Sequence, residues 1–130
     1  STGAAQASER VLTHLEGRLQ GMAMRVPVAV GSVTDLVARV GDDVDVERIA
    51  EAFTGAARGS LKGVLRVEDQ EIVSQDIVGD PHSCIVDRPT ITVQDQRTVK
   101  LLGWYDNEWG YAARLVDLIA HAGAALGDQR

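Results

Sequence analysis

Val99-Lys100-Leu101-Leu102-Gly103-Trp104-Tyr105-Asp106-Asn107-Glu108-Trp109-Gly110-Tyr111 joins two secondary-structure patterns through a polar pair. Val99 to Leu102 is apolar and β-favouring with a single lysine, which predicts a largely buried strand. Beyond the stretch, Leu115, Leu118, Ile119 and Ala122 recur at helical spacing. Asp106 and Asn107 fall between the two patterns. Either can cap a helix, because a side-chain oxygen accepts from a first-turn amide that has no partner inside the helix. A strand ending at a helix N-terminus also displays a polar group beside free backbone donors, a common way to build a ligand site. Asn107 carries both a donor and an acceptor, so it can read another amide. Trp104, Tyr105 and Trp109 flank it. Two readings stand at this point: a capped junction with aromatics packed for stability, or an amide-reading site.

Working outward, Ala4 to Leu15 predicts a helix with Val11, Leu12 and Leu15 on one side, closed by Gly17. Thr2 and Gly3 stand before its first turn. Gly21 to Val26 alternates Met22, Met24 and Val26 against Ala23 and Arg25, a strand pattern stopped by Pro27. A second strand is expected over Ser32 to Val40, with a turn at Gly41-Asp42-Asp43. Val46, Ile49, Ala50 and Phe53 mark an amphipathic helix capped by Asp45 and ending near Gly55 to Gly59. Val64 to Val67 and Cys84 to Val86 read as short strands. Gly79-Asp80-Pro81 is a turn signal, and Glu71 to Val78 stays ambiguous. Thr90 to Val93 and Val99 to Trp104 bracket a β-hairpin, and the last helix runs from about Glu108 to Leu126. Strands followed by helices, with hairpins between, predict an α+β (mixed α/β) class. The expected architecture is one mostly antiparallel or mixed sheet covered by helices, ending in a long C-terminal helix.

One hundred and thirty residues with 45% hydrophobic content suit a single core. The net charge of -6 is spread along the chain. That balance argues against nucleic acid or an anionic membrane surface as a main partner, while leaving room for one local basic site for a phosphate. No apolar run approaches the roughly 20 residues of a membrane helix, and the start has no signal-peptide pattern. Cys84 is the single cysteine and can form no internal disulfide, so a cytoplasmic location is expected. The opening on Ser1 suggests a cleaved or truncated product.

The motifs themselves carry a resemblance. Trp104 to Tyr111, followed by Arg114-Leu115-Val116-Asp117-Leu118, resembles the C-terminal signature of phosphorylating glyceraldehyde-3-phosphate dehydrogenases. Ser1-Thr2-Gly3-Ala4-Ala5 is similar to that family's STGAA segment, and Gly21-Met22-Ala23-Met24-Arg25-Val26-Pro27 to its GMAxRVP strand. Ser32 to Leu36, Leu61 to Leu65, Val73 to Asp76 and Gly79 to Ser83 fit in the same order and spacing. The resemblance covers essentially the whole chain but only the later part of the family's catalytic domain. It implies that residues 1–130 are a partial, C-terminal catalytic domain and that the NAD-binding domain lies elsewhere. No two glycines here are separated by one residue, so the G-x-G-x-x-G fingerprint is impossible within this chain.

For the site, the resemblance implies that Thr2, Gly3 and Arg25 hold a phosphate, of the triose substrate or the attacking inorganic phosphate. It also implies that Asn107 contacts the nicotinamide carboxamide of NAD or NADP in the complete enzyme. The residues alone leave Arg25 open between a surface charge and a bidentate phosphate clamp. No catalytic residue is assigned. The family's nucleophilic cysteine and its base histidine lie upstream of STGAA, so the chain alone is expected to be inactive. His82 and Cys84 are two apart, which on a strand puts both on one face with Cβ atoms about 6–7 Å apart. Cys84 reads as a small, partly buried residue rather than a nucleophile. His14 and His121 lie on the first and last helices, and no spacing matches a metal site. Implied partners are triose phosphate, inorganic phosphate, and either further copies (a tetramer in the family) or the missing N-terminal part. Two rival readings share the fold: a free-standing anion-binding or assembly module, and a sibling dehydrogenase acting on another phosphorylated aldehyde.

Overall fold

Ile85 and Val86 are adjacent on one strand and both are fully buried, so apolar contacts cover the sheet on both faces at its centre. The computed structural model describes residues 3–127. In chain order these are α1 (Ala4–Val11), a 3-10 turn (Thr13–Leu15), β1 (Ser32–Arg39), α2 (Val46–Arg58), β2 (Leu65–Glu68), a second 3-10 turn (Ser74–Ile77), β3 (Cys84–Gln94), β4 (Thr98–Tyr105) and α3 (Asn107–Gly127). The strands form one four-stranded sheet in the order β1-β4-β3-β2. β2 runs parallel to β3, and the other two pairings are antiparallel. The class is α+β with a mixed sheet and a long C-terminal helix, as the sequence predicts.

Register sorts the side chains. Cys84, Val86, Leu101, Val99 and Leu65 share the face on which α2 packs, where Ala50, Ile49 and Phe53 complete the core. Burying each large aliphatic side chain of this kind contributes about 1.5–3 kcal/mol. Asp45 caps α2 by accepting the Arg48 amide at 2.8 Å. The opposite face carries Ile85, Asp87, Leu102 and Trp104. Asp87 is only 3% exposed, and its Oδ2 accepts the Trp104 indole N–H at 3.0 Å.

β3 is one strand of eleven residues rather than the two short strands expected either side of Pro89. Pairing with β4 slips between Asp87 and Thr92, where proline has no N–H to give. Thr90 spans the break. Its hydroxyl donates to the Asp87 carbonyl at 2.7 Å and accepts the Leu102 amide at 2.9 Å. The hairpin turn holds Asp95 and Gln96 at φ 51° and 58°, with the Arg97 amide on the Gln94 carbonyl. Two successive positive φ values match the twist of the strands.

Two expectations for the N-terminal stretch need correction. Gly21 to Val26 forms no strand among the described residues, and Met22 and Met24 are 77% and 76% exposed. An isolated extended segment has no ladder and no apolar face to bury, so alternation alone cannot hold it in a sheet. The first helix stops at Val11, because Leu12 leaves helical geometry at φ -103°, ψ 69°. Its apolar residues meet no core, and α1 has no buried residue. The ambiguous Glu71 to Val78 stretch contains the second 3-10 turn, which Asp76 closes by accepting the Val73 amide at 2.8 Å.

Candidate functional site

Three backbone segments meet at the end of the sheet: the entry to β1, the Ile77–Asp80 turn, and the β4–α3 junction. Each is fixed by a specific residue. Gly31 turns the chain into β1 at φ 91°, and a β-carbon there would lie 2.9 Å from Ile77 Cδ1. Ser32 then pairs opposite Tyr105. Across the junction, Asp106 is 4% exposed. Its Oδ1 accepts the Trp109 amide at 2.9 Å and its Oδ2 the Gly79 amide at 2.8 Å. Those donors, Gly79 first and Trp109 next, hold the Asp106 carboxyl below the ordinary carboxylate range, against the opposing effect of burial.

Asp106 is therefore the residue that caps α3, and Asn107 is left free of that task as the helix's first residue. Asn107 is exposed, and its Oδ1 accepts the Ser32 hydroxyl at 3.2 Å. The cleft beside it has a volume of about 250 Å³ and is lined by Ser83, Tyr105, Asn107, Tyr111 and Arg114, among others. Arg114 ties α3 to the sheet, donating to the Gly63 carbonyl at 3.1 Å and the Ser83 hydroxyl at 3.3 Å. Gly110 lets α3 approach closely, since a β-carbon there would lie 3.1 Å from the His82 carbonyl. The arrangement presents a primary amide, beside tyrosines, on a rigid strand–helix corner.

The remaining expected residues lie apart from this corner. Gly3 stands at the N-terminus of α1 and Arg25 on the exposed, irregular segment; neither lines the Asn107 cleft. Among the described residues no hydrogen bond or ion pair holds the Arg25 guanidinium, so it is not fixed within a strand as its pattern implied. Thr2 lies outside the described residues. His82 is not on β3 and does not face Cys84; its Nδ1 lies 2.7 Å from Asp80 Oδ1. Asp80 also bridges to Arg66 at 3.3 Å. Cys84 is partly buried, burial pushes its thiol up, and its sulfur packs against Gly103. A thiol so placed resists forming the reactive thiolate. Among the described residues no group of three or more His, Cys, Asp or Glu side chains is placed to hold a metal, and no helix is long and apolar enough to cross a membrane.

Ser32, Tyr111 and Arg114 belong to the corner but were not singled out from sequence. The cross-strand register that puts Ser32 beside Asn107 spans 75 residues, and no local pattern carries it. Asp and Asn cap helices about equally well, so the division of labour between Asp106 and Asn107 was not legible either.

Comparison with known proteins agrees on one family. The model of the glyceraldehyde 3-phosphate dehydrogenase C-terminal domain matches residues 1–107. Over 126 residues, 97% of the chain, it is 50% identical to glyceraldehyde-3-phosphate dehydrogenase 2 of Streptomyces avermitilis and 49% identical to glyceraldehyde-3-phosphate dehydrogenase 2 of Bacillus subtilis. It is 52% identical to glyceraldehyde-3-phosphate dehydrogenase of Mycobacterium avium over the same span. The chain covers only 38%, 37% and 37% of the length of these three relatives.

Proposed function

This chain belongs to the glyceraldehyde 3-phosphate dehydrogenase C-terminal domain family, and on that premise we propose that it is the C-terminal part of the catalytic domain of a glycolytic oxidoreductase. The complete enzyme would convert glyceraldehyde 3-phosphate, inorganic phosphate and NAD or NADP to 1,3-bisphosphoglycerate in the cytoplasm, as a tetramer. The observation that carries this reading is the Asn107 amide, exposed on a corner whose capping is done by Asp106. An asparagine relieved of structural duty, beside Tyr105 and Tyr111, suits a flat carboxamide. The residues fit the nicotinamide end of a dinucleotide; its pyrophosphate cradle would belong to the NAD-binding domain.

When bound, the nicotinamide accepts the hydride released on oxidation of the aldehyde. This chain's residues would bind and orient. Asn107 would hold the carboxamide and so fix which face of the ring meets the substrate. Thr2 and Gly3 would offer a hydroxyl and an amide ahead of α1, and Arg25 a planar fork for phosphate oxygens. The nucleophile and the base would come from residues upstream, since the buried, Gly103-packed thiol of Cys84 is poorly suited to attack.

The test is to join this chain to the upstream region of a relative that is 50% identical. The joined protein should oxidise glyceraldehyde 3-phosphate with rates that depend on both phosphate and nicotinamide cofactor. A joined protein that folds and tetramerises yet shows no such dependence would overturn the reading.

A further inference from the structure

We propose that Ser32 is a positioning residue for Asn107: its hydroxyl sets which way the side-chain amide faces, so that Nδ2 is the atom offered to a ligand. The inference rests on the proposed role of Asn107. A primary amide can rotate by half a turn and exchange its donor for its acceptor at almost no change in shape. A ligand contact therefore needs something to choose between the two orientations.

The choice falls to Ser32. Its Oγ lies 3.2 Å from Asn107 Oδ1. Both atoms are oxygens and only the hydroxyl has a hydrogen to give, so Ser32 donates and Oδ1 accepts. Both partners stand on fixed backbone. Ser32 follows Gly31, seated against Ile77, and pairs with Tyr105. Asn107 follows Asp106, which two amides hold in place. With Oδ1 engaged, Nδ2 remains to donate. The matching ligand atom is an acceptor, the carbonyl oxygen of a carboxamide rather than its NH2.

Asn107 is the only asparagine in the chain, so asparagine-selective 15N labelling gives one side-chain NH2 pair. In the 130-residue chain, Ser32→Ala should move that pair toward its solvent-exposed position and raise its mobility in 15N relaxation. Ser32→Thr, which keeps the hydroxyl, should leave it as in the parent. The Trp104 indole signal, held by Asp87 on the same sheet, reports whether the fold survives and should not move in either variant. An unmoved Asn107 pair in folded Ser32→Ala would overturn the proposal. So would a Ser32→Thr pair that behaves as if the hydroxyl were gone, which remains readable if the alanine variant does not fold.

A second arm separates this proposal from the reading beneath it. In the joined enzyme, Ser32→Ala should raise KM for the cofactor about two- to tenfold, the range for one neutral hydrogen bond. Ser32→Thr should restore it. The analogue in which acetyl replaces the carboxamide keeps the carbonyl and should keep the same Ser32 dependence. If Asn107→Ala leaves KM unchanged, the role of Asn107 is wrong. If Asn107→Ala raises KM and Ser32→Ala does not, the positioning role of Ser32 is wrong.

Discussion

The Gly79 amide donates to Asp106 Oδ2 at 2.8 Å across 27 residues of sequence, tying the turn after the second 3-10 segment to the start of α3. Because Oδ1 of the same carboxylate takes the Trp109 amide, one charged group satisfies two backbone donors on separate elements.

Those two bonds make stability acid-sensitive in a defined direction. The Asp106 carboxyl is held below its ordinary range in the folded chain, against about 3.9 unfolded. Its contribution is complete above the unfolded value and is lost as pH falls through the folded one. Denaturant titrations between neutral pH and pH 2 should show this loss. Asp106→Asn should be less stable by about 1 kcal/mol at neutral pH and should show a shallower acid decline. An equally steep decline in that variant would remove Asp106 from the account.

A second structural prediction concerns Gly103, whose added β-carbon would sit 2.8 Å from the Cys84 sulfur. Gly103→Ala should cost about 1–3 kcal/mol through overpacking. Adding Cys84→Ala should recover part of that loss, a coupling that a double-mutant cycle by chemical denaturation reads directly. Purely additive effects would mean that the contact is absent in solution.

The fold was legible where pattern and turn chemistry agreed. Asp45 before an amphipathic run gave α2, and the apolar Val99–Leu102 stretch gave β4. It was illegible where the answer depended on distant partners. Gly21 to Val26 has the alternation of a strand, yet a strand exists only with a ladder, and none is offered among the described residues. Pro89 reads as a strand break because the bridging role of the Thr90 hydroxyl is tertiary. At the site, Asn107 stood out from its neighbours, while Ser32 emerged only from cross-strand register.

The purified chain should show no phosphate- and NAD-dependent oxidation of glyceraldehyde 3-phosphate, because its one thiol is partly buried against Gly103 and faces no imidazole. A persistent rate that disappears in Cys84→Ser would contradict both this expectation and the reading of Cys84.

Self-association is the fourth expectation. The outer edge of β1 has no strand beside it among the described residues, and α3 leaves Val116, Leu118 and Ile119 exposed. Unpaired edges and exposed apolar surface favour association. Light scattering across a wide concentration range should report oligomers, and a monomer throughout would contradict this.

The most direct test of the central claim, that this chain supplies ligand contacts to a dehydrogenase, is the steady-state kinetics of Arg25→Lys in the joined enzyme. Arg25 is exposed, so Tm should stay level. A lysine keeps the charge but loses the planar fork. A charge-assisted hydrogen bond contributes roughly 1.5–3 kcal/mol, so KM for phosphate or triose phosphate should rise about ten- to hundredfold. Unchanged kinetics would return Arg25 to a solvated surface charge and take the phosphate assignments of Thr2 and Gly3 with it.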